Sequence, residues 1–251
     1  YAHDGQLRKL GLPIAFFRQL PPKRMPGVSL PTMNLFAQIL HLLHKEFTLE
    51  WRQKDALSGI LLYVLSTVFI VYISFQHIGP QVWNVLFWVI MLFASVNAVV
   101  KSFVQESGYR QLYYFQLLHP IAILLSKMIY NASLLLVLGA LTFGALSFVA
   151  GNPVKESGEF ALALFLGSTG FSITFTFVSA IAAKADNSST LMAILSFPVV
   201  IPVLLLLVNL TAHSIGLLGG TGIGDKIMML AAVDLILVAM GLVLFPFLWR
   251  D

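Results

Sequence analysis

The sequence predicts an all-α integral membrane protein, six transmembrane helices preceded by an amphipathic interfacial helix. Three observations predict it. Of 251 residues, 58% are hydrophobic and only 10% are charged, against roughly 25% charged in an ordinary soluble domain. The few charges are gathered at the ends of long uncharged stretches, as expected if an ionised side chain at mid-bilayer costs several kcal/mol. Those stretches are continuously apolar rather than alternating, which excludes a closed β-barrel. There is also no cysteine, which excludes disulfides, thiolate metal sites, thiol nucleophiles and covalent haem attachment to this chain.

Residues 1–32 form the first segment. They carry five basic residues and one acid, together with Pro13, Pro21, Pro22, Pro26 and Pro31, and have no long apolar core. This is neither a signal peptide nor a span. Met33 is the expected natural start, with a disordered cytoplasmic leader as the alternative. The body from Met33 onward is neutral, so the alkaline balance of the chain comes from this leader and does not argue for a nucleic-acid surface.

From Met33 to about Glu50, Leu35, Phe36, Ile39, Leu40, Leu42, Leu43 and Phe47 alternate with Gln38, His41, His44, Lys45 and Glu46 at helical spacing. That pattern predicts an amphipathic helix, too polar to span, lying in the membrane interface. Six apolar runs follow, near 57–76, 82–103, 128–150, 160–183, 189–210 and 227–248. Each meets the length of about 20 residues needed to cross the hydrocarbon core. His77 to Gln81 divides the first two, and Gly151-Asn152-Pro153 ends the third. Lys127 is expected to snorkel at the inner mouth of the third.

Orientation follows from Lys and Arg in the short loops. With the body's N-terminus inside, Lys45, Arg52, Lys54, Lys101, Arg110, Lys184 and Arg250 fall on the cytoplasmic side, and only Lys155 and Lys226 fall outside. Both termini are therefore predicted to be cytoplasmic.

The inner segment from Lys101 to Pro120 is too long for a simple hairpin and too short for a domain. Leu112, Phe115 and Leu118 or His119 share a helical face, and Pro120 bends the chain before the next span. A short cytoplasmic helix of this kind is a handle on which a soluble partner can push. Equally, Tyr109, Tyr113 and Tyr114 are residues expected at headgroup level, so the segment also reads as an aromatic anchor.

Several other features invite chemistry. Gly219 to Lys226 looks like a phosphate loop, but Asp225 separates the glycine from the lysine, Ile227 stands where Ser or Thr is needed, and no strand precedes it. A hairpin is the better reading. Gly167-Ser168-Thr169-Gly170 suggests an intramembrane serine protease, which needs a histidine on a neighbouring span. The only later one, His213, is placed in an outer loop. Asp234 is the one acid inside a span and so a functional candidate. The alternative is that it is hydrated, or hydrogen-bonded to Asn209 or Ser168. Asn131, Asn209 and Ser126 read as interhelical contacts, and Gly139, Ala140 and Gly144 as positions of close helix packing. Two prolines four apart, Pro198 and Pro202, imply a kinked span buried among its neighbours, because lipid cannot replace the backbone hydrogen bonds they remove.

The amphipathic helix, the six spans and the cytoplasmic segment between spans two and three resemble the permease subunits of type-2 ABC exporters. Within these, the chain most resembles the CcmB family, haem exporter protein B of cytochrome c maturation, over Met33 to Asp251. The resemblance rests on Glu106-x-Gly108-x-x-x-Leu112 followed by Pro120 and Lys127, and on Ser196-Phe197-Pro198-Val199-Val200-Ile201-Pro202. Family members often carry a second acid where this chain has Arg110.

The resemblance implies a non-catalytic membrane subunit in the bacterial inner membrane, with ATP hydrolysed by a separate CcmA-like ATPase. That partner would contact Glu106, Gly108, Arg110, Leu112 and Phe115, together with Lys184 and Asp186 in the short loop 184–187. CcmC-like, CcmD-like and CcmE-like proteins and a second permease copy are the implied membrane partners, beside lipid. Haem is implied as a handled ligand and not as a cofactor held by this chain. Trp51, Trp83, Trp88 and Trp249 are scattered as membrane anchors are, and His41, His44, His77, His119 and His213 each read as a polar interface residue. Two alternatives stay open: a general permease for lipid, drug or polysaccharide, and a scaffold that assembles maturation proteins and moves nothing.

Overall fold

A computed structural model describes residues 34–52, 54–75, 77–104, 119–182, 188–217 and 223–250, all within the unit Asn34–Asp251. The described residues are all helical or connecting. Seven helices follow in order: α1 Leu35–Arg52, α2 Lys54–Ser74, α3 Pro80–Val104, α4 Pro120–Ala150, α5 Ser157–Ala182, α6 Ser188–Ser214 and α7 Ile223–Arg250. Five of them, α3 to α7, are long and apolar enough to cross a membrane. The first predicted span corresponds to α2, a 21-residue helix whose apolar part Ser58–Ser74 is shorter than the others.

The core is built around α3 and α5, the two most buried spans. α5 packs against α3, α4, α6 and α7, and its small residues make that possible. Gly167, Ser168, Gly170, Ser172, Thr176 and Ser179 are all buried, so neighbouring backbones come close. A carbon added at Gly167 would meet the Trp88 ring at 2.6 Å, and one at Gly139 of α4 would meet Leu164 at 2.5 Å. Gly144 has open space beside it and Ala140 is exposed, so only the first of the three small residues in α4 serves close packing within this chain.

Trp83 and Trp88 are not interface anchors. Both are fully buried in an aromatic cluster that joins α3, α4 and α5. Trp83 stacks on Phe87 at 5.6 Å, Phe87 meets Phe160 at 5.3 Å, and Phe143 meets Phe160 at 4.8 Å. The i, i+4 spacing of Trp83 and Phe87 puts them on one face, which is the signal that scattered positions along the chain conceal.

Candidate functional site

Two places in the fold gather polar side chains that an apolar interior must account for. One is the strip where α1 lies along α4. The second is a junction of α5, α6 and α7 deep in the bundle.

α4 begins at Pro120, eight residues before the predicted span. His119 takes an extended conformation as its N-cap, and Pro120 starts the helix, where a missing N–H costs nothing. At 31 residues, α4 is about 46 Å long at 1.5 Å per residue, well beyond the ~30 Å hydrocarbon thickness. α1 covers its first turns. The His119 backbone N–H donates to Gln38 Oε1 at 3.2 Å, Leu42 packs with Ala122 and Ile123, Lys127 Nζ lies 3.5 Å from Glu46 Oε1, and Phe47 meets Tyr130 edge-on at 5.3 Å. The two polar contacts have the same sequence separation, 81 residues. A constant offset held over two turns means that α1 and α4 run parallel and side by side.

Lys127 therefore does not snorkel. Its side chain is 2% exposed and the Glu46 side chain 14%, because α1 lies over it and supplies the carboxylate. Deeper along the same α4 face, Asn131 Nδ2 donates to Thr176 Oγ1 at 2.8 Å, and Ser172 Oγ donates to the Met128 carbonyl at 2.6 Å. Of the three polar residues expected to bridge helices, Asn131 does so. Ser126 bonds to Ile123 and Asn209 to Leu205, each within its own helix.

At the second place Asp234 of α7 is buried, and neither carboxyl oxygen has a hydrogen-bond partner among the described residues. The expected partners are absent: Asn209 is exposed and turned to Leu205, and Ser168 Oγ makes no hydrogen bond with a described residue. The carboxyl rests over Gly170 of α5, with Val203 of α6 as the third wall. Ser168 has no base either, because His213 Nδ1 lies 3.1 Å from Glu159 Oε2.

Pro198 and Pro202 lie inside a continuous α6, but their side chains are exposed rather than buried. Helical spacing explains this correction. Ser196, Val200, Val203 and Leu207 form the buried stripe of α6, and at 100° per residue the prolines fall on the opposite side. The remaining sequence-predicted contact residues, Glu106, Gly108, Arg110, Leu112, Phe115, Lys184 and Asp186, lie outside the described residues, as do the leader, Tyr109, Tyr113, Tyr114 and residues 218–222 of the phosphate-loop look-alike. His41, His44, His77 and His119 are exposed, and no three potential metal-ligating residues cluster among the described residues.

The end of the bundle away from α1 is closely tied. Asn84 donates to the Val208 carbonyl at 2.8 Å, the Thr211 hydroxyl lies 2.6 Å from Asn84 Oδ1, and the Trp88 indole donates to that hydroxyl at 2.9 Å. Gly216 caps α6 at φ 77°, its N–H bonding to His213 O and that of Leu217 to Ala212 O. This is the Schellman arrangement, which needs a left-handed residue. Ser214 O accepts from the N–H groups of both Lys155 and Glu156.

Compared with known protein families, residues 37–248 match the model of the CcmB protein family. The chain belongs to the CcmB family. The resemblance read from Glu106, Gly108, Leu112 and the proline pair is thereby established over nearly the whole body, and with it an all-α membrane permease of the haem-export ABC transporter of cytochrome c maturation. No curated protein matches the chain. In this CcmB-family chain the match begins inside α1 and ends in α7, so it takes in both the α1–α4 strip and the Asp234 junction.

Proposed function

We propose that this chain is the non-catalytic, six-span permease subunit through which a CcmA-like ATPase drives haem delivery, or the release of a haem-loaded chaperone, in cytochrome c maturation. α2 is the first of the six spans, both termini are cytoplasmic, and the ATPase docks at residues 105–119 and 184–187. CcmC-like, CcmD-like and CcmE-like proteins and a second permease copy associate with it in the bacterial inner membrane. Haem is cargo in this reading, and no cofactor is held by the chain itself.

The family match carries the reading, and the α1–α4 strip supports the docking place. The segment 105–118 leads directly into His119, whose N–H is held by Gln38 of α1. A push delivered there reaches α4 and α1 together, since the Lys127–Glu46 pair and the Leu42 contact join the same two helices further along. A soluble motor therefore acts on a braced pair rather than on one helix end.

The test is capture of the ATPase subunit from solubilised membranes. The unaltered chain is expected to retain it, and replacement of Glu106, Gly108 and Leu112 together to reduce the yield at least tenfold while the chain stays in the membrane. Undiminished capture would place the motor elsewhere.

A further inference from the structure

Asp234 occupies a position that nothing in the transport reading uses. It lies ten residues into α7 from Gly224, or about 15 Å along the helix, which is the middle of the span. Its relative exposure is 6%, and neither oxygen has a donor among the described residues. An isolated ionised carboxylate in apolar surroundings is so costly that such groups neutralise instead.

Among the described residues no counter-ion is at hand. On α5 the charged residue is Glu159, eleven positions from Gly170 and facing His213. On α6 it is His213, ten positions from Val203, and on α7 the nearest are Asp225 and Lys226, at the helix start. At 1.5 Å per residue these lie about 12 Å or more along their helices from the carboxyl. α4 also packs on α5 and α7, and its buried cation, Lys127, already faces Glu46.

Space narrows the choice of ligand. A single carbon placed on Gly170 would lie 2.5 Å from Asp234 Oδ1 and 3.2 Å from Val203, so this wall of the site does not admit even a methyl group. Dehydrated metal cations need several oxygen ligands. Asp234 offers the one carboxyl here, with the unbonded hydroxyls of Ser168 and Thr174 elsewhere on α5.

From this geometry we infer that Asp234 is a proton-binding site, occupied while α5, α6 and α7 are closed around it and emptied when they part and water reaches the carboxyl. Proton binding and helix closure are then two sides of one equilibrium: whatever opens the junction releases the proton, and rising pH favours the open form.

Infrared spectroscopy on the full-length chain purified without partners tests this independently of any ATPase. At pH 7 the unaltered protein is expected to show the carbonyl stretch of one protonated carboxylic acid, absent in Asp234→Asn. Asp234→Glu, which keeps the acid, should retain such a band at a changed frequency, and it serves equally if the asparagine variant does not fold. Gly170→Ala, which wedges the junction, is expected to speed deuterium exchange of the band at least tenfold. Spectra of the unaltered and Asp234→Asn chains without that difference would overturn the site, and exchange unchanged in Gly170→Ala would overturn its coupling to closure.

Discussion

At Gly167 the backbone of α5 lies against the end of the Trp88 ring, so closely that a Cβ would sit 2.6 and 2.7 Å from two ring carbons and 2.9 Å from Leu207. An indole held on its other sides by Phe87 and Phe171 and by its hydrogen bond to Thr211 has nowhere to retreat. Gly167→Ala is expected to destabilise the detergent-purified chain by about 1–3 kcal/mol, the range for overpacking a core. Gly144→Ala, with no atom within 4 Å, is expected to be neutral or to gain up to about 1 kcal/mol from helix propensity. Thermal unfolding of the two variants side by side checks the pair. The sequence separates such glycines poorly. Gly139 and Gly144 look alike in an apolar run, and only the neighbour that each one meets distinguishes them. Asp234 was legible as an acid out of place, but its lack of partners was not, because hydrogen bonds to Asn209 and Ser168 depend on where α5 and α6 turn their faces.

The helices themselves were largely legible, since each apolar run between charges became one. The largest shift of a boundary, at the start of α4, came where a charge had found a partner. Lys127 reads as the edge of a span only if its ammonium must reach water, and with Glu46 beside it the helix extends back to Pro120. Such pairing joins residues 81 apart in the chain, a distance over which periodicity carries no information. Because the ammonium is almost wholly buried, removing its carboxylate is more harmful than removing both charges. Glu46→Leu alone is expected to lower stability by about 3 kcal/mol, and the double variant Glu46→Leu with Lys127→Met to recover most of that loss. A double-mutant cycle by thermal unfolding measures the difference, and additive losses would show that the two side chains are not coupled. The same strip explains why α1 is amphipathic on two sides. Leu42 faces α4, while Phe36 and Leu40 are exposed, as suits a helix at the edge of the lipid.

For the molecule as a whole, the proposed orientation places Asn34 in the cytoplasm and the turn at Asn152 outside. Both positions are exposed, and the chain has no cysteine of its own, so single cysteines report without background. With a membrane-impermeant maleimide on intact cells, Asn152→Cys is expected to label directly and Asn34→Cys only after lysis. The reverse pattern would put the segment 105–119 out of reach of any ATP-driven partner. Large apolar side chains such as Leu62, Ile73, Phe148, Leu235 and Val243 are exposed over the bundle, which a bilayer accommodates and water does not.

The rim that carries the turn at Asn152 has a mechanical consequence. There one carbonyl, Ser214 O, fastens two successive amides of the preceding connection, and Glu159 clasps His213 across the same gap. Spans sewn together at one rim swing like the ribs of a fan: a stroke applied at the opposite rim grows with distance from the stitching and vanishes at it. In the proposed reading, any passage that such a stroke uncovers is widest at the rim that α1 covers and narrows to nothing at the sewn one.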